Sequence, residues 1–361
     1  MRRISALLAA LLLLGSAGAL AAPATPYDPG LMLYYPDFST EKQALFDLIY
    51  EGVTDGKAKI DLPDGTRYDD LTQVMQAIQT DCPELLGLGG SYSAGYYQDH
   101  PEIALSLTPS YEMDAQAGQR LSAAMIQAAR SVAAEASGDD FAREVYLHDR
   151  LCAGTAYDLS GTGAYSVMGP LQYGRGACEG YAETMALLCR LTGLRCGVVS
   201  GFADDGAGSQ AHAWNIVYLD GSPTQLDVTW DDQDAMGYTT RWYLNLTDAQ
   251  MAADHQADTV LPLPACTAEN NNWHVRAGLM ASDNAVTTEL LLTRELERLL
   301  RGESAAVDLR FPSATAYQTF VASLDGMLDA FNASRPDGDG FYGSYAVSRS
   351  DRQLCFLLMR E

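Results

Sequence analysis

Three short segments of this sequence carry the residue types that a thiol nucleophile needs. Cys178 lies in the run Gly174-Arg-Gly-Ala-Cys-Glu-Gly-Tyr-Ala-Glu-Thr, and an apolar stretch follows it. His212 comes 34 residues later in Ala-His-Ala-Trp-Asn, and Asp227 comes 15 residues after that in Leu-Asp-Val-Thr-Trp-Asp. A thiol, a histidine and an aspartate are the parts of a cysteine nucleophile, its base and the acid that orients the base.

The position of Cys178 predicts a reactive form of its thiol. The apolar stretch from Met185 to Leu194 predicts a helix that begins near the cysteine. The start of a helix presents unpaired N–H groups and a partial positive charge, which favour a thiolate. Gly176 and Gly180 flank the cysteine, so we expect them to form part of the site wall and to let substrate and backbone approach the sulfur.

A predicted hairpin follows the histidine. Asp220-Gly221 is a strong signal for a two-residue turn between antiparallel strands. The pattern therefore predicts neighbouring strands near residues 211–219 and 224–230. With a three-residue loop instead, Asp227 would fall on the opposite face of the sheet from the histidine.

In the two-residue register, His212 pairs with Thr229, and Asp227 lies diagonally across from His212. A diagonal neighbour on one face is within reach of long side chains. Trp214 and Ile216 lie on the face of the histidine, so we expect them to wall the site. The register thus predicts that the imidazole and the carboxylate meet.

Together, these segments resemble the core motifs of the bacterial transglutaminase-like superfamily. The resemblance rests on Cys178-Glu-Gly-Tyr-Ala, His212-Ala-Trp-Asn and Asp227-Val-Thr-Trp-Asp-Asp, and it covers about residues 145–275. Flanking segments also resemble that family; they are Leu147-His-Asp, Thr155-Ala-Tyr-Asp, Trp242-Tyr-Leu-Asn-Leu-Thr-Asp, and His255 after a short predicted helix.

The resemblance implies an α+β fold with a papain-like core. In such a core, a helix that bears the cysteine at its N-terminus packs on an antiparallel sheet that bears the histidine and the aspartate. By this resemblance, Cys178 is the nucleophile, His212 is first the general base and then the acid, and Asp227 orients the imidazole.

The group that stabilises the oxyanion is less defined by the sequence. The backbone N–H of Cys178 is one natural donor. Gln172 lies six residues before the cysteine, a spacing similar to that of the donor glutamine in papain-like proteases; the alternative is an exposed loop residue. Tyr165 and Tyr157 are further candidates.

These parts predict attack of the thiolate on an amide carbonyl and an acyl-thioester on Cys178. Water then accepts the acyl group in hydrolysis, or a lysine amine accepts it in cross-linking. Many members of the resembled family look like hydrolases, so we expect a cysteine peptidase or amidase. The alternatives are a protein-glutamine gamma-glutamyltransferase and a non-catalytic module that binds peptide or cell-wall material.

The chain divides into four predicted regions. Residues 1–21 form a signal peptide, and residues 22–140 form a mainly helical N-terminal region with a hairpin or strands between 87 and 108. Residues 141–275 form the transglutaminase-like core, and residues 276–361 form a small α+β C-terminal region. The N-terminal and C-terminal assignments follow from the periodicity of the apolar residues, and the assignment of the core is what the resemblance implies.

Charge and targeting signals restrict the partners. The net charge of −24 argues against nucleic acid and against an anionic membrane surface. Arg2 and Arg3 precede an apolar run that ends in small residues, the pattern of a secretory signal. No later stretch is apolar enough to span a membrane, so we expect a protein that is secreted or lies in the cell envelope or periplasm. From the chemistry above, we expect its partner to be a peptide or protein substrate, with cell-wall peptide as a further candidate.

The sequence predicts neither a metal nor another cofactor. The seven cysteines include no Cys-x-x-Cys pair, and their odd number leaves at least one thiol unpaired in an exported protein, for which Cys178 is the candidate. The other six form up to three bridges or stay buried thiols. Calcium would suit the acidic loops at Asp204-Asp205, Asp231-Asp232 and Asp337-Gly-Asp339, but none completes the EF-hand spacing, so we expect solvated turns.

Overall fold

A computed structural model describes residues 27–233, 238–335 and 345–360 of the chain. The predicted signal peptide, residues 1–21, lies outside the described residues, as does the acidic loop at Asp337-Gly-Asp339. Among the residues that the structure describes, no helix has both the length and the apolar character needed to cross a membrane.

The N-terminal region combines three helices with a long hairpin. The helices are α1 (Thr40–Thr54), α2 (Tyr68–Asp81) and α3 (Ala115–Ala133), and the strands are β1 (Ile60–Asp61), β2 (Leu88–Tyr97) and β3 (His100–Tyr111). The three strands form an antiparallel sheet with β3 in the middle. The hairpin predicted between residues 87 and 108 is thus confirmed, and it continues to Tyr111.

The core region is a five-stranded antiparallel sheet covered by a helix. Its helices are α4 (Asp140–Gly154), α5 (Cys178–Leu191), α6 (Val228–Asp231), α7 (Asp248–Met251) and α8 (Trp273–Arg276). Its strands are β4 (Ala156–Tyr157), β5 (Arg175–Gly176), β6 (Cys196–Asp204), β7 (Ser209–Leu219), β8 (Ser222–Leu226), β9 (Asp232–Gln233), β10 (Tyr238–Thr239), β11 (Leu244–Leu246) and β12 (His255–Ala257). The sheet order is β11-β8-β7-β6-β12, and α5 packs on β6 and β7. The predicted core, a cysteine helix on an antiparallel sheet, is confirmed.

Helix α5 is fixed over the sheet by burial and by one polar side chain. Its middle is apolar on almost every side, and Tyr181, Met185 and Leu187 are fully buried. Asn215 of β7 donates from Nδ2 to the carbonyl oxygens of Ala182 (2.8 Å) and of Gly197 in β6 (3.1 Å). A buried amide with both hydrogens satisfied holds the helix in one register on the sheet.

The turn after β7 forms as its sequence predicts. Leu219 pairs with Ser222, and the two residues between them have positive φ angles, 51° for Asp220 and 77° for Gly221. Two consecutive left-handed residues define the two-residue turn whose twist matches that of the flanking strands. The prediction of this hairpin is confirmed, so the strand that carries His212 has the expected partner.

The predicted second strand is too long, however. β8 ends at Leu226, which pairs with Asn215, and residues 228–231 form the short helix α6 instead of continuing the ladder. The Asp227 carboxylate caps this helix, because its Oδ1 accepts from the backbone N–H groups of Thr229 (2.9 Å) and Trp230 (3.2 Å). The predicted pairing of His212 with Thr229 is therefore wrong.

The C-terminal region is α+β, as predicted. It contains α9 (Ala285–Leu300), β13 (Ala306–Arg310), α10 (Ala314–Ala333), β14 (Tyr345–Ser350) and β15 (Cys355–Arg360). β15 lies between β13 and β14 in an antiparallel sheet. Buried polar contacts join it to the core: Trp242 donates from Nε1 to Asp308 (3.1 Å), and Arg310 donates to the Trp242 carbonyl oxygen (2.9 Å).

A buried ion pair joins the N-terminal region to α5. Arg190, near the end of α5, contacts the Glu84 carboxylate at 3.1 Å, and each side chain is only 1% exposed. Arg190 also donates to the carbonyl oxygen of Asp81. A charge that is this deeply buried depends on its partner, because water cannot replace it.

We expect Glu84→Ala to lower the free energy of unfolding by about 3–5 kcal/mol, since it leaves the Arg190 guanidinium buried without its partner. Lys59→Ala is the control, because Lys59 and Asp61 form an ion pair at 2.7 Å that is mostly exposed, and little change is expected there. Urea unfolding measures both. Equal effects of the two substitutions would contradict the importance of the buried pair.

Candidate active site

Cys178 is the first residue of α5, and the preceding segment holds it in place. β4 runs parallel to β5, with Tyr157 opposite Gly176. The N–H of Ala177 donates to the carbonyl oxygen of Ala164 at 2.8 Å. The chain thus enters the helix from a short, hydrogen-bonded strand, so the sulfur lies at the helix N-terminus as the sequence predicts.

Cys178 is also the most accessible of the seven cysteines. Its side chain is partly exposed, whereas the other six are buried thiols; these are Cys82, Cys152, Cys189, Cys196, Cys266 and Cys355. None of the seven is in a disulfide in the structure. An accessible thiol at a helix start is the environment in which cysteines react.

Gly176 and Gly180, on either side of Cys178, do not open the site to substrate as expected. Both are buried. A Cβ atom on Gly180 would collide with the carbonyl oxygen of Ala164, and one on Gly176 would lie 3.0 Å from Pro170. Their missing side chains therefore let the segment around residues 164–170 pack against the start of α5, and they do not form a wall that faces substrate.

The structure brings the imidazole of His212 to the carboxylate of Asp227. His212 donates from Nε2 to Oδ2 of Asp227 at 2.7 Å, and the aspartate is completely buried. The side chain of His212, on β7, is 7% exposed. The contact between the two side chains forms although β8 stops short, because the chain turns at Asp227 and directs its carboxylate toward the sheet.

The charges of this group favour an imidazolium. Burial opposes a charge on His212, but the Asp227 carboxylate and a hydrogen bond with the Cys178 sulfur outweigh it and raise the pKa of His212 to about 10. Burial likewise opposes the charge of Asp227, yet His212 and a second histidine hold the pKa of that carboxyl below its usual range. At neutral pH, a cation therefore lies beside the sulfur.

Two tryptophans enclose His212. The ring of Trp214 lies 6.2 Å from that of His212, and the ring of Trp230 lies 5.6 Å from it. Trp214 donates from Nε1 to Gln225 at 2.7 Å, which fixes its ring. Trp214 is thus next to the histidine, as expected. Ile216 is completely buried in the core and does not line an open site.

Of the three candidates for oxyanion stabilisation, it is Tyr157 that has an electrostatic interaction with the cysteine in the structure. Tyr157 and Tyr165 are about half exposed, at 51% and 53%. Burial, followed by electrostatic repulsion from Cys178, Tyr165 and Asp227, raises the pKa of Tyr157. Gln172 is exposed on a single π-helical turn, Gly169–Tyr173, and the structure gives no contact between it and Cys178.

A second histidine contacts the same carboxylate. His255, the first residue of β12, donates from Nε2 to Oδ2 of Asp227 at 3.0 Å, and its Nδ1 lies 2.7 Å from Oδ1 of Asp254. Sequence reasoning noted His255 only as part of the resemblance and gave it no role. The adjacent pair Asp254-His255 was the available signal, since a carboxylate next to a histidine often orients its ring.

His212, Asp227 and His255 also bring their ligating atoms within 4.8 Å of one another, which a metal ion could use. Hydrogen bonds account for this spacing, because a carboxylate oxygen accepts from both imidazoles. The prediction that the site needs no metal stays a prediction.

One acidic segment differs from the expected solvated turn. Asp231 is completely buried, and its carboxylate accepts from the N–H groups of Trp242 (2.7 Å) and Tyr243 (3.1 Å) and contacts His148 at 3.2 Å. These partners saturate the carboxylate, so its role is structural. Asp204, in contrast, is partly exposed and caps a turn at Gly206, as expected.

A known protein family matches the segment that carries the cysteine helix and the three residues of the site. Residues 126–230 match the family model of the transglutaminase-like superfamily. Cys178, His212 and Asp227 all lie within this matched segment.

Similar proteins share only part of their length with this chain. It is 40% identical over 62 residues to the kyphoscoliosis peptidase of Homo sapiens and 39% identical over 62 residues to that of Mus musculus. The match covers 15% of this chain and 9% of each relative. The periplasmic domain of TgpA from Pseudomonas aeruginosa, bound to ethylmercury, has 18% identity over 44% of this chain and 72% of that chain, with a TM-score of 0.26.

We expect Asp227→Asn to move the pKa of His212 down from about 10 toward its ordinary value of 6.5, because the substitution removes the anion that holds the imidazolium. The raised pKa adds stability that is complete below about pH 6.5 and is lost as the pH rises through about 10. NMR titration of the histidine rings measures this shift. Asp61→Asn, at an exposed carboxylate, is the control; an unchanged His212 titration in Asp227→Asn would contradict the pairing.

Proposed function

We propose that this protein is an exported thiol enzyme that acts on amide bonds of peptides or proteins through an acyl-thioester on Cys178, and that hydrolysis is its main outcome. The observation that carries the proposal is the imidazole of His212, oriented by the buried Asp227 carboxylate, beside the one accessible thiol at a helix start; the raised pKa of His212 favours the imidazolium. Such a cation stabilises a thiolate and can donate a proton to a leaving group.

In the first step, the Cys178 thiolate attacks the amide carbonyl carbon. A C–S bond forms, and the π electrons of the carbonyl move to its oxygen. When the tetrahedral intermediate collapses, the C–N bond breaks and His212 gives its proton to the leaving nitrogen. Ammonia leaves from a glutamine side chain or an amine leaves from a peptide bond, and His212 is then neutral.

In the second step, neutral His212 takes a proton from water while the water oxygen attacks the thioester carbon. The C–S bond breaks, the thiolate returns, and the imidazolium is restored. A lysine amine in place of water would give a cross-link by the same proton movements. Asp227 does not exchange a proton in either step; it keeps the imidazole in one orientation.

The oxyanion that forms in both steps needs donors at the helix start. The first N–H groups of a helix have no partner within the helix, so that of Cys178 can point at the developing charge. The hydroxyl of Tyr157, on the strand next to Gly176, can supply a second hydrogen bond, with Tyr165 beside it. In this proposal Gln172 has no part.

Hydrolysis is favoured over cross-linking because the site is open to water. The cysteine is partly exposed, and the neighbouring Tyr157 and Tyr165 are about half exposed. Water therefore reaches a thioester on Cys178 unless a bound amine displaces it. The name of the kyphoscoliosis peptidases, which match over 62 residues, agrees with cleavage.

Export and the class of substrate rest on the sequence. The basic and apolar residues of 1–21 are typical of a secretory signal. A protein of net charge −24 repels nucleic acid. Peptides, proteins and cell-wall peptides are proposed as substrates because they carry the amide bonds that a thiol nucleophile attacks. These substrates occur where such a signal would deliver the protein.

The first test is selective labelling. At neutral pH, iodoacetamide should modify Cys178 in the folded protein, and peptide mapping should find little label on the six buried cysteines, because only Cys178 is accessible. Cys178→Ala should abolish the labelling, whereas Cys266→Ala, at a buried thiol, should leave it unchanged. A folded protein whose Cys178 is no more reactive than the rest would support a binding module instead.

The second test separates the two acceptors. We expect a library of glutamine-containing peptides to give cleaved or deamidated products with the wild-type protein and none with Cys178→Ala, as read by mass spectrometry. The library is incubated with and without a primary amine. Products that appear only with the amine, and that contain it, would contradict hydrolysis and identify a cross-linking transferase.

A further inference from the structure

The Asp227 carboxylate has two imidazole partners, of which the proposed mechanism uses one. Oδ2 of Asp227 lies 2.7 Å from Nε2 of His212 and 3.0 Å from Nε2 of His255. His255 is 5% exposed and Asp227 is completely buried, so water does not supply either contact. The second histidine therefore belongs to the structure of the site and is not an incidental neighbour.

His255 must donate from both ring nitrogens. Its Nε2 faces Asp227 and its Nδ1 lies 2.7 Å from Oδ1 of Asp254, and ionised carboxylates only accept hydrogen bonds. A neutral imidazole has a single N–H, so this arrangement requires the imidazolium. Burial opposes that charge, but the two carboxylates outweigh it and raise the pKa of His255.

The site is thus a row of alternating carboxylates and imidazoles that starts at Asp254 and passes through His255, Asp227 and His212 to the sulfur of Cys178. The His255 imidazolium and the Asp227 carboxylate each lie between two groups of opposite charge. Backbone N–H groups fix Oδ1 of Asp227, as described for the start of α6, and His255 fixes Oδ2. With both oxygens held, the carboxylate cannot rotate away from His212.

Aromatic rings keep His255 in this position. The ring of Trp230 lies 4.5 Å from that of His255, the ring of Trp214 lies at 5.1 Å and the ring of Tyr243 lies at 5.5 Å. The hydroxyl of Tyr243 donates to Oδ2 of Asp254 at 2.8 Å. The groups that face His255 and can titrate are therefore Asp227, Asp254, His212 and Tyr243.

The outer end of the row is held by the C-terminal region. Gln353, in the turn between β14 and β15, is 1% exposed and donates from Nε2 to Oδ1 and Oδ2 of Asp254 at 3.2 and 3.1 Å. Arg310 of β13 donates to Oε1 of Gln353 at 3.0 Å, which fixes the direction of the amide. A residue 99 positions from Asp254 thus completes the hydrogen bonding of that carboxylate.

We infer that His255 is a positioning residue, which locks Asp227 toward His212, and that the C-terminal region holds His255 through Gln353 and Asp254. This inference rests on the proposed function, because it assigns a role in orienting the imidazole of that same site. It gives the C-terminal region a part in the chemistry, although none of its residues touches the sulfur.

His255→Gln tests the inner half of the row. The glutamine amide carries no charge, and both of its N–H bonds leave from one nitrogen, so it does not reproduce the two donors on opposite sides of the imidazolium ring. kcat is calculated per mole of Cys178 that iodoacetamide can alkylate, so that protein without an accessible thiol does not count. We expect this kcat to fall by about tenfold to a hundredfold, as it does when a catalytic group is misplaced, while KM changes by less than about twofold. The Nε2 proton of His212, in a 2.7 Å hydrogen bond, should move upfield in the NMR spectrum.

His274→Gln is the matched control. His274 is also completely buried and pairs with a carboxylate, Asp308, at 3.0 Å, but it does not contact Asp227. This substitution should lower the melting temperature. It should not change kcat per mole of alkylatable Cys178 or the resonance of the His212 Nε2 proton. If His255→Gln behaves like His274→Gln in both measurements, the inference is wrong.

Gln353→Glu tests the outer half. The change keeps an acceptor for Arg310 but replaces the donor to Asp254 by a third carboxylate. We expect the same changes in kcat and in the His212 resonance, smaller than those of His255→Gln. Arg352→Ala is the control in the same turn, because Arg352 is 40% exposed and contacts Asp204 instead of Asp254. An unchanged Gln353→Glu protein would exclude the C-terminal region from the row.

The outcomes separate this inference from the proposed function. A wild-type protein that neither labels at Cys178 nor turns over peptides would overturn the function. The NMR measurement needs no substrate, so it still decides whether His255 and Gln353 hold His212. A wild-type protein that labels and turns over, with His255→Gln unaffected, would overturn the inference alone.

Discussion

The buried carboxylate of Asp227 is the constraint on which the site depends. A charge without access to water is tolerated only where every oxygen finds a donor, and Asp227 finds two backbone N–H groups and two imidazoles. The same contacts that make the charge tolerable also orient it. A substitution that removes these contacts would therefore both destabilise the fold and disturb the geometry of the site.

The three regions of the chain each hold one part of this arrangement. The N-terminal region fixes α5 through the buried pair of Glu84 and Arg190, and α5 in turn fixes Cys178. The sheet supplies His212 from β7, and Asp227 follows directly after the adjacent strand β8. In the C-terminal region, Gln353 donates a hydrogen bond to Asp254, which lies at the outer end of the row of charges. The segment that matches the transglutaminase-like family model is thus held from both of its ends by contacts with the N-terminal and C-terminal regions.

The sequence predicted those parts of the molecule that local signals determine. The turn at Asp220-Gly221 formed as expected, because its conformation depends on two adjacent residues. The end of β8 was missed, because the Asp227 side chain, by capping α6, overrides the strand pattern. The close packing of Gly180 and the contacts of His255 and Gln353 were also missed. These contacts join residues that lie apart in the sequence, such as Gly180 with Ala164 and Gln353 with Asp254. No local sequence pattern marks such contacts.

The contact of Gln353 with Asp254 has a consequence for the order of events in folding. Contacts between distant positions form late, because the chain must close a long loop before they contribute. A folding intermediate with its sheet and α5 in place would hold a thiol and an imidazole but not a locked carboxylate. Under the proposed function, chemical competence would therefore arrive with the last strands to dock, which would keep a half-folded chain from attacking the peptides around it, including its own.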